Sequence, residues 1–210
     1  MKIILQERLI QNINLILKYF ENFLYLMFCF RIGLLPANRI FSHLTKDEKK
    51  KLYELSKSVS DGICLEIGSY IGSSACFISA GLKNGKIICI DSWENDAMSE
   101  GKRRTLEEFN NNTHKFKDKI IKIQGYSTNV VDRVRCYTDK IDLLFIDADH
   151  SYEGCKNDWE SYKGFLTSGS IVVFHDYGWA EGVQKVVHED VIPRVRKYKS
   201  LSNIWWGWAK

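Results

Sequence analysis

Residues 63–74 read ICLEIGSYIGSS. An apolar run, Ile63 to Ile67, passes into Gly68 and then into Gly72, Ser73 and Ser74. A run this short, apolar almost throughout, is how a strand buried on both faces of a parallel sheet reads. Gly68 lets backbone approach a ligand closely. Gly72-Ser73-Ser74 opens the next helix, whose first N–H groups favour an anion or carboxylate. Glu66 lies inside the motif, and the third close-packing glycine of the dinucleotide fingerprint GxGxxG is missing. A plain strand-to-helix turn is the simpler alternative for these residues.

The same grammar repeats outward from this turn. Lys86–Asp91 (KIICID), Ile120–Gly125 (IIKIQG), Ile141–Asp147 (IDLLFID) and Ser170–Asp176 (SIVVFHD) are short apolar runs with polar ends. Candidate helices lie between them at Gly72–Lys83, Glu100–Asn112, Ser127–Tyr137 and Tyr152–Phe165, with another near Glu181–Glu189. Strands alternating with helices predict an α/β fold with a doubly wound, mostly parallel sheet. Lys197–Ser200 and Ile204–Ala209 predict a closing hairpin, which brings the sheet to seven strands. Residues 1–60 read as mostly helical, broken at Gly33–Pro36 (GLLP). Thr45 with Glu48 three residues on forms a capping box, and Leu52, Leu55 and Val59 recur at helical spacing. The expected division is a helical N-terminal extension at residues 1–43, serving as a cap or for dimerisation, and a domain at residues 44–210.

At 210 residues, 45% hydrophobic and 27% charged, the chain suits one α/β domain and is not disordered. Thirty Lys and Arg against 26 Asp and Glu leave +4, too small and too spread out for a nucleic-acid binder. The six cysteines show no CxxC and no zinc-like spacing, and Cys64 and Cys89 sit inside apolar runs. Buried, reduced thiols point to a reducing compartment, the cytoplasm. Ile3 to Leu35 is rich in Ile, Leu and Phe, but Lys18, Glu21 and Arg31 interrupt it short of the ~18–20 apolar residues of a span. No transmembrane segment is expected. Peripheral membrane contact, dimerisation and simple packing are all open to these helices.

In an open α/β sheet, ligands bind beyond the carboxyl ends of the strands. Gly68, Asp91, Gly125 and Asp147 end four of the runs, and His175-Asp176 ends the fifth. Polar residues there are costly unless they meet water or ligand. Asp91 can accept both hydroxyls of a ribose or simply cap the loop that follows. Trp93 could stack on a purine ring or lie on the surface. His43, His114 and His188 sit in mixed polar segments and read as solvated. Trp205, Trp206 and Trp208 either pack on the sheet or form an aromatic platform for a sugar.

In this order and spacing, residues 63–74, 86–91, 120–127, 141–150 and 170–177 resemble the successive motifs of class I S-adenosylmethionine-dependent methyltransferases. The Glu-x-Gly-x-x-x-Gly turn is similar to that of the small O-methyltransferases. Phe145–Gly154 (FIDADHSYEG) most resembles a bacterial branch that includes sugar O-methyltransferases. The resemblance spans roughly residues 44–210. It implies a seven-stranded Rossmann-like fold that binds S-adenosylmethionine. Glu66, Gly68, Tyr70 and Ser74 would hold the methionine part and backbone of that cofactor. Asp91 would bind its ribose, Trp93 lies just beyond, and Gly125 and Ser127 would lie beside its adenine. Asp147 would sit at the methyl-transfer centre. The resemblance further implies Mg²⁺ or another divalent cation held by Asp147, His175 and Asp176. Metal-dependent members usually carry Asp where His175 stands, and an imidazole suits Mn²⁺, Fe²⁺ or Zn²⁺ better than Mg²⁺. The alternative is that His175 and Asp176 hydrogen-bond the substrate. His150 falls where related enzymes place a catalytic Lys or His, and Asp149 where others place a proposed base.

Methyl transfer requires an acceptor oxygen aligned with an activated methyl group, and removal of a proton. A sugar hydroxyl is a poor acid, so a base or a cation helps; His150, with an ordinary pKa of ~6.5, suits neutral pH. Its alternative role is to cap the helix at Tyr152. The expected protein is a homo-oligomer that methylates a hydroxyl of a small polar acceptor, a sugar or glycan. The helical extension and the loop at residues 93–115 would shape the acceptor pocket. A nucleotide-dependent oxidoreductase is disfavoured by the missing GxGxxG. A non-catalytic S-adenosylmethionine-binding module is disfavoured by retention of Asp147, Asp149 and His150. An RNA methyltransferase would need a basic groove, and the basic residues are diffuse.

Overall fold

The computed structural model describes residues 2–94, 101 and 103–210. Met1–Arg39 is one compact unit and Ile40–Lys210 another. The first is built on α1 (Lys2–Arg31). That helix ends at Gly33, whose φ of +70° L side chains rarely adopt. Ile16, Phe20, Phe23 and Phe30 on α1 are each more than half exposed. By length and composition, Ile10–Arg31 is long and apolar enough to cross a membrane. Lys18 and Glu21 still interrupt the apolar run within this stretch, as the sequence reading expects. Insertion energies point the same way. Each charge at a helix centre costs about 2.5–3.5 kcal/mol, and each Leu, Ile or Phe returns only about 0.3–0.6 kcal/mol. A dozen apolar residues roughly offset the two charges, leaving Gln11, Asn12, Asn14 and Asn22 uncompensated.

The second unit begins with α2 (Lys46–Ser58). Its capping box forms as expected: Thr45 Oγ1 accepts from the Glu48 N–H, and Glu48 Oε2 accepts from the Thr45 N–H at 2.7 Å. The strands are β1 (Ile63–Ile67), β2 (Lys86–Asp91), β3 (Ile120–Gln124), β4 (Ile141–Ile146), β5 (Leu166–His175), β6 (Val195–Leu201) and β7 (Ile204–Ala209). They form one seven-stranded sheet in the order β3-β2-β1-β4-β5-β7-β6. The first five pair in parallel, and β7 runs antiparallel to both its neighbours.

Because side chains alternate across a strand, each strand feeds two cores. Cys64, Cys89, Leu143, Phe145 and Val173 pack under α2, α3 (Ser73–Gly81) and α4 (Leu106–Thr113). Leu65, Ile67, Ile88, Leu144 and Val172 pack under α5 (Val131–Arg135), α6 (Tyr152–Tyr162) and α7 (Glu181–Val186). All six cysteines are free, five of them buried.

Local differences from the sequence expectation have local causes. The helix expected over Ser127–Tyr137 splits into a 3-10 turn at Ser127–Asn129 and the short α5. The β-branched pair Val130-Val131 sits at that break and weakens helix there. The expected helix start at Glu100, and residues 95–100 and 102 of the loop at 93–115, lie outside the described residues.

Candidate active site

The carboxyl ends of β1 to β4 surround a cavity of about 440 Å³. It opens where the strand order reverses, between β1 and β4. Gly68, Tyr70, Asp91, Gly125, Ser127, Asp147 and Asp149 all line it. Gly68 has φ +88°, and a Cβ there would fall 1.9 Å from the Asp147 carbonyl oxygen. Only glycine permits that approach. Tyr70 (φ +44°) and Trp93 (φ +53°) at the same rim hold left-handed backbone. Such strain persists where surrounding structure enforces it, and here Asp91 does so. Its Oδ2 accepts from the Tyr70 N–H at 2.7 Å and its Oδ1 from the Trp93 N–H at 2.6 Å. Two of the roughly four lone-pair sites of the carboxylate are thereby used.

Trp93 does not take the place expected for it. Its side chain is 1% exposed, packs on Phe109 with ring centroids 5.0 Å apart, and donates Nε1–H to the Tyr70 carbonyl at 2.9 Å. It is neither a purine platform nor a surface residue, because the rim turn folds the indole inward onto the α4 core. Glu66 and Ser74 also lie beneath the cavity rather than in its lining. Parity puts Glu66 on the same face as Cys64. It is fully buried; Ser69 Oγ donates to Oε2 at 2.6 Å, while Oε1 has no hydrogen-bond partner. Burial pushes this carboxyl up to about 7, against the pull of Ser69 and Ser74. At the far end of the cavity Ser127 Oγ donates to Asp158 Oδ1, and Tyr162 Oη donates to the Ser127 carbonyl at 2.7 Å. Asp158 lines the cavity, and burial pushes its carboxyl up to about 6. Sequence reasoning missed Asp158, although it stands three residues after Cys155 and four before Tyr162, on the buried stripe of α6.

A second group of side chains gathers beside Asp147. Phe145 and Val173 are register partners, so two residues on, Asp147 and His175 emerge side by side on the α2 face. His175 Nδ1 lies 3.1 Å from Asp147 Oδ1 and 3.2 Å from Asp176 Oδ2, and Nε2 lies 3.5 Å from Glu48 Oε2. Burial alone would depress the His175 pKa; Asp147, Asp176 and Glu48 override it and push it up to about 12. Asp176 (φ +57°) also takes His150 Nε2 at 2.7 Å on Oδ2. Its Oδ1 accepts from Trp179 Nε1 at 2.7 Å and Asn203 Nδ2 at 3.0 Å. These donors hold the Asp176 carboxyl well below the usual carboxylate range, overcoming its burial. The Asp176 hydrogen bond raises the His150 pKa, and His150 meets the ring of Trp179 edge-on at 5.2 Å.

His150 therefore pairs with Asp176 and does not cap α6; that cap is Ser151, whose Oγ accepts from the Gly154 N–H at 3.0 Å. Asp149 lines the cavity and accepts the Ser151 N–H at 2.8 Å on Oδ1. Trp205 and Trp206 are buried and offer no platform. The exposed tryptophan is Trp179, 61% accessible. Trp179 and Asn203 join this group although no motif announces them, and Glu48 joins it from the capping box of α2. His43, His114 and His188 are exposed as expected, His188 with Nε2 3.1 Å from Tyr177 Oη.

The residues fit the groups the sequence implied. For an adenosyl cofactor the fit rests on the cavity itself, lined at the carboxyl ends of the strands by Gly68, Tyr70, Asp91 and Gly125. For a divalent cation it rests on Asp147, His175 and Asp176, whose ligand atoms lie within 4.8 Å of one another. With Nδ1 given to an ion, Nε2–H would face Glu48, the carboxylate partner that commonly orients a metal-binding imidazole. A protonated His175 meets the same carboxylates, so proton and cation would compete for one place.

A doubly wound sheet closed by an antiparallel β7 between β5 and β6, with its cavity at the β1/β4 switch, is the fold of the class I methyltransferases. A family described as a methyltransferase domain matches residues 65–177, just over half the chain, and the protein belongs to it. Among solved structures, an O-methyltransferase from Bacillus cereus in complex with SAH superposes with a TM-score of 0.65 at 15% identity, over 86% of this chain and 89% of that one. TomG from Streptomyces achromogenes, an O-methyltransferase of tomaymycin synthesis in complex with SAM, gives 0.63 at 16% identity over 80% and 81%. CalS11, a TDP-rhamnose 3′-O-methyltransferase of calicheamicin biosynthesis, gives 0.57 at 16% identity over 85% and 91%. An uncharacterized protein of Acanthamoeba polyphaga mimivirus is 28% identical over 130 residues, 60% of this chain and 58% of that protein. The chain thus spans less than two thirds of that relative.

Proposed function

We propose that the protein is a cytoplasmic, S-adenosylmethionine-dependent O-methyltransferase acting on a hydroxyl of a small polar acceptor, a sugar or glycan. The observation that carries this reading is the chain of contacts from the cavity outward: Asp147 to His175, His175 to Asp176, and Asp176 to His150 beside the exposed Trp179. Gly68, Tyr70, Asp91, Gly125 and Ser127 would hold the cofactor, over Glu66 and Ser74. Bound there, S-adenosylmethionine supplies a methyl group already activated on sulfur. Asp176 receives His150 Nε2–H and so leaves Nδ1 to take the proton of the acceptor hydroxyl. The flat face of Trp179 suits the C–H face of a sugar ring, and its N–H is fixed by Asp176. The description of CalS11 as a sugar O-methyltransferase supports this acceptor class. A divalent cation on Asp147, His175 and Asp176 would lower the pKa of the hydroxyl. Six free cysteines support the reducing compartment.

The test is incubation of the full chain with S-adenosylmethionine and a panel of nucleotide sugars and free glycans, read by mass spectrometry. The expected product carries one added methyl group on a sugar oxygen, and His150→Ala loses it. Methylation of a phenol or a nitrogen, with every sugar inert, would overturn the acceptor assignment.

A further inference from the structure

Of the nineteen large hydrophobic side chains that stand exposed among the described residues, twelve lie on α1. At 3.6 residues per turn, its exposed Ile13, Ile16, Phe20, Phe23, Met27 and Phe30 centre an apolar arc of about 220°. Gln11, Asn14, Lys18, Glu21 and Asn22 fall together on the remaining stripe, which toward the helix C-terminus carries the buried Tyr25 and Cys29; between residues 10 and 30 Asn12 alone interrupts the arc, and Arg31 stands on it at the helix end. A helix facing a protein core shows an apolar stripe of about 100°. A two-helix dimer buries a narrower seam still. Either would leave about half of this arc in water.

Charge points the same way. Residues 1–39 hold five Lys and Arg against two Asp and Glu, and residues 40–210 hold 25 against 24. Three of the four net positive charges therefore belong to the apolar unit. We propose that α1 lies in the plane of an anionic lipid bilayer, its apolar arc in the acyl boundary and its polar stripe toward water, and tethers the enzyme there. An in-plane helix keeps Lys18 and Glu21 hydrated, which a spanning one cannot. Basic residues add attraction to anionic headgroups. The tether is independent of the acceptor and of the methyl-transfer reading.

The test is flotation of the full chain with phosphatidylcholine vesicles containing one quarter phosphatidylglycerol. The wild type should float, at least tenfold less with pure phosphatidylcholine or at high salt, and should be released by alkaline carbonate. Phe20→Glu/Phe23→Glu should lower flotation at least tenfold with an unchanged far-ultraviolet circular dichroism spectrum. Asn14→Ala/Glu21→Ala, on the polar stripe, should float as the wild type does. Wild-type protein that stays at the bottom of the gradient overturns the proposal whatever the variants do. So does a lipid-free dimer that Phe20→Glu/Phe23→Glu dissociates, which would assign the arc to a second copy. Resistance to carbonate extraction overturns the in-plane placement in favour of a span.

Discussion

Replacing Glu66 by Gln tests the buried carboxylate beneath the cavity. In the unfolded chain this group titrates near 4.5; in the folded protein burial pushes it up to about 7. Between those pH values the native state keeps a proton that the unfolded state has lost. Stability therefore falls as pH rises through that window and levels off above it. A displacement of roughly 2.5 units at about 1.36 kcal/mol each corresponds to about 3 kcal/mol. That is a large share of the about 5–15 kcal/mol typical of a folded domain. Gln cannot ionise, keeps an acceptor for the Ser69 hydroxyl, and lacks this loss. Urea unfolding of cofactor-free wild type and Glu66→Gln at pH 5 and pH 8.5 gives a double difference. The cost of the amide cancels, and so does the titration of Asp158, which both proteins share. The variant should gain about 3 kcal/mol on the wild type between the two pH values, while its affinity for S-adenosylhomocysteine falls at least tenfold. Parallel pH dependences for the two proteins would refute the reasoning that burial dominates this carboxyl.

Asp91→Asn should weaken S-adenosylhomocysteine binding tenfold to a hundredfold by calorimetry. Both carboxylate oxygens accept backbone N–H groups, so an amide NH₂ must face one of them, at a cost of about 1.5–3 kcal/mol; unchanged affinity would sink the cofactor assignment. His150→Ala should lower kcat about a hundredfold or more, in line with loss of a general base, and leave cofactor affinity alone. Full activity of that variant would pass the base role to Asp149. EDTA should reduce activity and Mn²⁺ should restore it better than Mg²⁺, given the imidazole in the donor set. Activity that survives exhaustive chelation removes the cation from the reaction and leaves methyl transfer standing.

The strands, and seven of the seventeen residues that line the cavity, are local facts, and the sequence alone determined them. An apolar run of five or six residues ending in Gly or Asp is buried on both faces wherever it pairs, and the turn after it forms from adjacent residues. Gly68, Asp91, Gly125 and Asp147 were legible for that reason. The capping box at Thr45 and Glu48 was legible too, because a helix N-terminus is satisfied within one turn. What the tertiary structure decided is how groups distant in sequence meet. Trp93 turns inward because Phe109 offers it a partner. Glu48 finishes its cap and then ion-pairs with His175 because α2 crosses the face where β5 ends. Trp179 and Asn203 converge on Asp176, one from the loop after β5 and one from the β6–β7 turn. Each of these rests on a register or a packing choice between elements far apart in the chain. No period or spacing within a single segment records such a choice, since its energy lies in contacts that exist only once the sheet has assembled.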